Sequence, residues 1–217
     1  AGCAQQVLSP DINAATIRVL SRQGFDVVIP PTQGCCGALA WHVGNGPLAK
    51  TQARTNIKAF EIECDAILSN AAGCGSGLKE YGLILKGESD ESAGKKFASR
   101  VRDVCEFLDE VGLIDPPTLA SPMRVAYHDA CHLAHAQGVT SAPRKLLRSI
   151  KQLELAELEH GEICCGSAGT YNIDQPLLAA ELGKRKAESV ITTGACCLVT
   201  GNIGCMVQIH QSLAKLG

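Results

Sequence analysis

The sequence lacks a strong charge of either sign, long apolar runs and any sign of a secretion signal. Its 20 lysines and arginines oppose 22 aspartates and glutamates, a net charge of −2, so nothing electrostatic favours nucleic acid as a partner. No apolar run reaches the roughly 18 residues that a membrane-spanning helix needs, and no signal peptide is visible. Short basic groups such as Lys95-Lys96 and Lys184-Arg185-Lys186 fall within helical patterns and indicate solvent-facing helix surfaces.

An initiator methionine is also missing, because the chain starts Ala1-Gly2-Cys3 and leaves no room for a strand ahead of the first cysteine. We therefore expect the chain to be part of a longer subunit. What is present indicates a globular protein, since 46% of the residues are hydrophobic and only 19% are charged. With 217 residues the chain could form one large domain or two small ones, each with a real core.

Twelve cysteines stand out in this composition. Helices and strands are predicted throughout the chain, whereas secreted disulfide scaffolds are short and rich in loops. Without a secretion signal we expect a reducing, cytoplasmic compartment. In such a compartment, clustered thiols are more often metal ligands or redox groups than disulfides.

Predicted strands alternate with predicted helices along the chain. Five short apolar stretches are predicted as strands: residues 25–29, 66–68, 124–127, 153–158 and 196–200. The clearest helix is predicted over residues 94–111, where apolar residues recur at steps of three and four. The alternation predicts an α/β fold with parallel sheets. A proline-containing stretch at 116–122 is the candidate linker between domains at 1–115 and 123–217.

One motif, two cysteines followed by a glycine, occurs at Cys35-Cys36-Gly37 and again at Cys164-Cys165-Gly166. Isolated cysteines flank both copies at matching distances, with 128 positions from Cys3 to Cys131, 129 from Cys35 to Cys164 and 131 from Cys74 to Cys205. The chain is therefore predicted to be duplicated. In each half the isolated cysteines follow a predicted strand, which places them at the carboxyl edge of a parallel sheet, where open α/β folds bind ligands. We predict two pseudo-repeated halves, each a small parallel sheet flanked by helices with a cysteine site at that edge.

Each predicted site gathers four thiols from three loops. The candidate ligands are Cys3, Cys35, Cys36 and Cys74 in the first half and Cys131, Cys164, Cys165 and Cys205 in the second. Thiolates alone suit zinc or an iron–sulfur cluster. Zinc sites usually take closely spaced Cys-x2–4-Cys pairs, which are absent, whereas adjacent cysteines can reach different irons of one cluster. We predict an iron–sulfur cluster in one or both halves, with zinc in one half or metal-free packing as the alternatives.

Other residues near these sites have simpler interpretations. Cys64, Cys105 and Cys196 have no counterpart at the repeat offset and are predicted to be buried small hydrophobic residues, and Cys196-Cys197 to belong to a core strand. Residues 73–77 could form a phosphate-binding loop, but the cysteine and not the glycines is the repeated element. Four histidines are interpreted as ordinary loop or core residues, with hydrogen bonding to cluster sulfurs or proton handling as the alternative: His42, His128, His132 and His135. The pair Cys131-His132 could suggest a thiol nucleophile, but adjacency in sequence does not place the base on its neighbour's sulfur.

The duplicated pattern resembles the pair of cysteine-rich CCG domains in the catalytic subunit of heterodisulfide reductase and in iron–sulfur subunits of 2-hydroxy-acid and glycerol-phosphate oxidoreductases. It looks most like the C-terminal part of the iron–sulfur subunit of glycolate oxidase (glycolate dehydrogenase). The likeness covers nearly the whole chain. The motifs that carry it are Gly34-Cys35-Cys36-Gly37-Ala38, Gly73-Cys74-Gly75 with Lys79-Glu80-Tyr81-Gly82 after it, Cys164-Cys165-Gly166-Ser167-Ala168-Gly169-Thr170-Tyr171, and Asn202-Ile203-Gly204-Cys205.

The resemblance implies an electron-transfer subunit. A partner subunit that carries FAD would oxidise a 2-hydroxy acid, glycolate in the first place, and this chain would pass the electrons toward a quinone-type acceptor. The resemblance also implies an N-terminal ferredoxin-like part, which this sequence does not contain, and a cytoplasmic complex that reaches the inner face of the membrane through its partners. No catalytic residue is assigned to the chain itself.

The sequence departs from the family pattern at one position in each half. The family has a fifth cysteine per repeat, which in heterodisulfide reductase helps to hold a noncubane cluster, and here Ala71 and Asn202 replace it. Four thiolates suffice for a [4Fe–4S] cubane, so we expect that cluster and do not carry over the noncubane one. The alternatives are a thiol–disulfide redox subunit like heterodisulfide reductase and a zinc-stapled interaction module.

Overall fold

The computed structural model describes all residues, 1–217, and divides the chain into two compact units, Ala1–Phe107 and Leu108–Gly217. Each unit contains a small parallel sheet flanked by helices. The predicted α/β architecture with two halves is confirmed. The domain boundaries at 115 and 123 stay a prediction, and the strand that opens the second sheet begins at Thr118, within the stretch proposed as a linker. None of the helices combines the length and the apolar composition required to cross a membrane.

The first unit is mainly helical around a two-stranded sheet. Its elements in chain order are α1 (Cys3–Leu8), α2 (Pro10–Arg22), α3 (Ala38–His42), α4 (Gly46–Ala59), β1 (Ile67–Ser69), α5 (Ala72–Lys79), α6 (Tyr81–Ile84), α7 (Glu91–Ser99), β2 (Val101–Asp103) and α8 (Val104–Val111), which continues into the second unit. β1 and β2 pair in parallel, with Ile67 opposite Val101. Residues from α3, α4, α6, α7 and both strands form the core, in which Phe97 stacks on Tyr81 with ring centroids 4.9 Å apart.

The continuous helix predicted over residues 94–111 is wrong, because β2 interrupts it. α7 ends at Ser99, and the fully buried Val101 enters the sheet beside β1. A new helix then starts with a capping box: Asp103 Oδ1 accepts from Cys105 N at 2.8 Å, and Glu106 Oε2 accepts from Asp103 N at 3.1 Å. The helical spacing of apolar residues therefore continues from α7 to α8 although the helix itself is interrupted, because the residues between them pair as a strand.

The strand predicted at residues 25–29 is also wrong, since the segment pairs with no other strand. Val28 and Ile29 remain 65% and 48% exposed, and the segment lines a cavity of about 460 Å³ together with Ile67 and Leu68 of β1. At the repeat offset of 128, residues 25–29 correspond to 153–157, which form an edge strand in the second unit. The two units therefore differ at this position.

The second unit surrounds a three-stranded sheet. Its elements are β3 (Thr118–His128), a short π-helix (His132–Ala136), α9 (Ser141–Ser149), β4 (Lys151–Glu157), α10 (Tyr171–Asp174), α11 (Pro176–Thr192), β5 (Cys197–Thr200) and α12 (Ile203–Ala214). β3 lies in the centre and pairs in parallel with β4 on one side and β5 on the other. The three strands predicted in this half are confirmed. Because all strands run in one direction, the carboxyl ends of β3 and β5 meet at one edge, from which the second set of cysteines follows.

Candidate metal centres

Both Cys-Cys-Gly motifs turn the backbone at their glycine. Gly37 has a φ of 83° and Gly166 a φ of 92°, which is the left-handed region that glycine adopts without steric cost. Gly166 also lies against α11, so that a Cβ atom placed on it would meet the carbonyl oxygen of Ala179 at 2.5 Å. The glycine of the motif is therefore required by backbone geometry, and it lets the two preceding cysteines present both thiols on one side of the loop.

The first unit brings its four predicted ligands together. Cys3 opens α1, Cys35 and Cys36 lie in the loop before α3, and Cys74 lies in the first turn of α5. The Sγ atoms of Cys3 and Cys35 are 3.9 Å apart, and the thiols of Cys35, Cys36 and Cys74 interact in series. A small cavity is lined by Cys3, Cys36 and Cys74. The structure thus gathers this set, while the metal it binds stays a prediction.

Asn56 and Tyr81 hold the backbone of the first motif. The Asn56 side-chain oxygen accepts from Gly34 N at 2.9 Å, and its nitrogen donates to Cys35 O at 2.8 Å and to the Tyr81 hydroxyl at 2.9 Å. Tyr81 in turn donates to Cys36 O at 2.9 Å. Both side chains are buried, so these bonds are shielded from water. Sequence reasoning missed both residues.

The thiols of the first centre cannot all ionise together. The contact with Cys36, followed by burial, raises the pKa of Cys35. For Cys36 the contact with Cys35 lowers the pKa, but the contact with Cys74 and burial outweigh it and raise the pKa to about 12. The contact with Cys36 lowers the pKa of Cys74 against the effect of burial. Without a metal, neighbouring thiols keep some of their protons because several thiolates would repel one another. A bound metal cation displaces those protons, since its charge stabilises all the thiolates.

The second unit gathers the other four predicted ligands. Cys131 follows β3, Cys164 and Cys165 lie in the loop before α10, and Cys205 lies in the first turn of α12. Two groups donate to sulfur: Gly166 N to Cys164 Sγ at 3.4 Å and Asn202 Nδ2 to Cys205 Sγ at 3.5 Å. The residue that replaces the fifth cysteine of the family pattern therefore contacts the site through its amide.

The thiols of the second centre also share protons. Contacts with Cys131 and then Cys165 lower the pKa of Cys164, and the contact with Cys165 lowers the pKa of Cys205 against burial. The contact with Cys164 raises the pKa of Cys131, and contacts with Cys164 and Cys205 raise the pKa of Cys165. The four thiols therefore do not all ionise together. The donor set fits a thiolate-bound metal or an iron–sulfur cluster, which four sulfur ligands can hold.

The buried His128 joins this second group. It ends β3, and one of its ring nitrogens lies within 4.8 Å of the Sγ atoms of Cys165 and Cys205, which are within the same distance of each other. Of the other three candidate histidines, His42 and His135 are exposed, and His132 Nδ1 lies 3.6 Å from the Sγ atom of Cys131, another candidate ligand of this unit. The interpretation of His128 as an ordinary core residue is therefore incomplete.

The remaining cysteines separate into partly buried and exposed ones. Cys64 packs on the core of the first unit and lies 2.6 Å from Arg100 Nη2, and Cys105 is partly buried in α8. Cys196 and Cys197 are exposed. The predicted strand at 196–200 is present, but its placement in the core is wrong for these two cysteines because β5 lies at the sheet edge.

Lys186 also corrects the sequence interpretation. We predicted a solvent-facing basic group at 184–186, but Lys186 is only 3% exposed and donates to the carbonyls of His160 at 2.8 Å and Gly161 at 3.1 Å. Burial lowers its pKa. Lys186 lies 130 positions after Asn56, which is within the range of the cysteine offsets. The repeat could therefore have identified both residues as supports of the cysteine loops.

Comparison with known proteins is consistent with the duplicated cysteine pattern. A family model described as the cysteine-rich domain CCG matches residues 1–79 and 125–210. The chain is similar to the "Probable glycolate oxidase iron-sulfur subunit" of Bacillus subtilis, with 37% identity over 100% of this chain and 49% of that protein. It is 35% identical to "Lactate utilization protein A" of Oceanobacillus iheyensis, over 99% of this chain and 88% of that protein. It is 36% identical to the "Glycolate oxidase iron-sulfur subunit" of Escherichia coli, over 97% of this chain and 53% of that protein. The chain thus spans about half the length of the two glycolate oxidase subunits.

Proposed function

The chain belongs to the family of CCG cysteine-rich domain proteins, and from this premise we propose that it is the part of an iron–sulfur subunit that carries electrons for a flavin-dependent 2-hydroxy-acid dehydrogenase. The observation that carries the proposal is the gathering of four thiols in each unit, each in contact with the next in series. The names of its relatives support the reaction class, since they are iron–sulfur subunits of glycolate oxidase and a lactate utilization protein.

Two sets of cysteines would hold the centres. Cys3, Cys35, Cys36 and Cys74 would bind one [4Fe–4S] cluster, and Cys131, Cys164, Cys165 and Cys205 the other. Such a cluster accepts and donates single electrons at a potential set by its ligands and by hydrogen bonds to its sulfurs. The amide donors at Gly166 and Asn202 supply two of those hydrogen bonds in the second unit.

Substrate chemistry is assigned to a partner. A flavin-containing subunit with bound FAD would oxidise glycolate, and the chain would pass the electrons toward a quinone-type acceptor. We propose that the complex is cytoplasmic and reaches the inner face of the membrane through its partners, and that a ferredoxin-like part of the same subunit carries further clusters. The names of relatives at 35–37% identity support only the choice of a 2-hydroxy acid as the substrate of the complex.

Metal analysis of the anaerobically purified subunit tests the proposal. We expect iron and acid-labile sulfide, broad visible absorption and an EPR signal on reduction. Glycolate added to the complex with its flavin partner should bleach the absorption. Zinc without iron or sulfide would overturn the electron-transfer proposal and favour the zinc-stapled module. Bleaching by lactate but not by glycolate would overturn only the choice of substrate.

Single substitutions test the two-centre arrangement. Cys36→Ser and Cys165→Ser should each remove the metal of one unit and spare that of the other, because each replaces a ligand within a separate compact unit. Cys196→Ser is the matched control, since Cys196 is exposed and is not among the eight candidate ligands. Loss of both centres from either ligand variant would contradict the assignment of one centre to each unit.

A further inference from the structure

His128 is a buried imidazole that lies beside the thiols of the second centre. It is 1% exposed, and neither ring nitrogen makes a hydrogen bond of ordinary geometry, although the Cys205 thiol is close enough to interact with the ring. Buried polar side-chain atoms in folded proteins are nearly always hydrogen-bonded, and an exception calls for a further partner such as a water or an ion. Two thiols lie beside the ring, so a metal that binds thiolates would supply that partner.

The position of the ring suits metal binding. One ring nitrogen and the sulfurs of Cys165 and Cys205 are mutually within 4.8 Å. Two ligands on one tetrahedral metal, with bonds of about 2.0–2.3 Å, lie about 3.5–3.8 Å apart. Each pair of ligand atoms therefore needs to approach by at most about 1.0–1.3 Å, which small side-chain rotations supply. Imidazole nitrogen and thiolate are both accepted by zinc and by the irons of iron–sulfur clusters.

We propose that His128 is a ligand of the second metal centre and binds through a ring nitrogen beside Cys165 and Cys205. The inference adds a ligand to the centre described under the proposed function. It rests on that function only in its assumption that the centre holds iron. His128 either adds a fifth donor to the four cysteines or replaces the partly exposed Cys131, which leaves a set of four donors.

The proposal makes the two centres chemically different. The first unit contains one histidine, His42, which is exposed at the end of α3 and outside its cysteine group. Its centre is therefore bound by sulfur alone. Histidine ligation raises the reduction potential of an iron–sulfur centre relative to cysteine ligation, as in Rieske centres. Electrons delivered to this chain would accordingly collect at the second centre.

Pulsed EPR on protein labelled with 15N-histidine tests the ligand directly. The experiment uses the full-length subunit with the substitution Cys36→Ser, which removes the first centre of this chain so that its signal does not overlap that of the second. In that background we expect a strongly coupled histidine nitrogen on the reduced second centre. His128→Cys, which keeps a ligand, should retain the centre, lose the nitrogen coupling and lower the potential. His132→Gln is the matched control, because His132 also contacts a candidate ligand, and it should leave the coupling unchanged.

The possible outcomes separate this proposal from the proposed function. An iron–sulfur centre without nitrogen coupling, or with coupling that survives His128→Cys, overturns the ligand role and leaves electron transfer standing. If the second centre contains zinc, X-ray absorption at the zinc edge replaces EPR. A nitrogen ligand on zinc that His128→Cys removes would support the ligand role of His128 and overturn electron transfer at that centre. A zinc ion bound by sulfur alone would overturn both the ligand role and electron transfer at that centre.

Discussion

Replacing Gly166 by alanine should destabilise the second unit far more than replacing a glycine of similar conformation elsewhere. Three glycines allow the comparison: Gly37 (φ 83°), Gly138 (φ 70°) and Gly166 (φ 92°). A Cβ at Gly138 would meet nothing within 4 Å, and at Gly37 its nearest neighbours would be at an ordinary 3.4 Å. At Gly166 it would be 2.5 Å from the Ala179 carbonyl oxygen, which belongs to a helix backbone and cannot rotate away.

The geometry sets the expected magnitudes. Left-handed backbone costs an ordinary residue about 1–2 kcal/mol, and this cost applies to all three alanine variants. Forcing extra volume into a packed site adds about 1–3 kcal/mol, which applies to Gly166→Ala alone. A glycine-to-alanine change also reduces the conformational entropy of the unfolded chain, by the same amount in every variant. The difference in unfolding free energy between Gly166→Ala and the other two variants therefore measures the contact with Ala179. We expect Gly166→Ala to lose about 2–5 kcal/mol and the other two to lose about 1–2 kcal/mol.

Hydrogen exchange at increasing urea concentration measures these losses unit by unit. Peptides from residues 108–217 report on Gly138→Ala and Gly166→Ala, and peptides from 1–107 report on Gly37→Ala. Retention of the second centre's metal is a second readout, because the loop of Cys164 and Cys165 must shift to relieve the contact. Equal losses for Gly138→Ala and Gly166→Ala would refute the reasoning, since the Ala179 contact would then contribute nothing.

Two further predictions concern a buried carboxyl and an ion pair. Burial raises the pKa of Asp103 to about 6 from 3.8, so its stabilising contribution, full below pH 4, is lost as the pH rises through about 6. Urea unfolding of the first unit should show a loss of about 2–3 kcal/mol between pH 4 and pH 7.5 that Asp103→Asn removes, and an unchanged slope in that variant would contradict the assignment. Arg144 binds Asp129, two residues before Cys131, through two bonds of 2.8 and 2.6 Å. Arg144→Lys cannot make both and should destabilise the second unit by about 1–3 kcal/mol in the same assay, whereas the exposed Arg148→Lys should have little effect.

The sequence predicted the parts of the fold that depend on local pattern and on the repeat. Strands at 66–68, 124–127 and 153–158 were identifiable as short apolar runs, and β1, β3 and β4 cover them. The cysteine spacing predicted which thiols belong together, because equal offsets place them on equivalent loops of two similar units. The structure gathers each set of four thiols, while their role as metal ligands stays a prediction.

Two of the wrong predictions concern residues whose structure depends on partners distant in the sequence. Residues 25–29 have the composition of a strand, but a strand forms only where a neighbour pairs with it, and these residues pair with none. Lys186 has the sequence context of a surface helix, yet carbonyls 25 and 26 positions away bury it. The break at β2 is different, because the capping box of Asp103 and Glu106 was visible in the sequence. A strong helical periodicity concealed it.

The bonds that fix the first motif have a consequence for how the centre is assembled. Asn56 and Tyr81 act only on the backbone of residues 34–36 and use none of the thiols. The loop is therefore held in place without any use of the thiols, and its ordering entropy is spent when the polypeptide folds. We expect folding to precede the loading of the proposed centre, so that a cluster delivered by assembly proteins would enter a site that is already shaped. A cluster damaged by oxygen would then be replaceable at the same site without refolding of the chain.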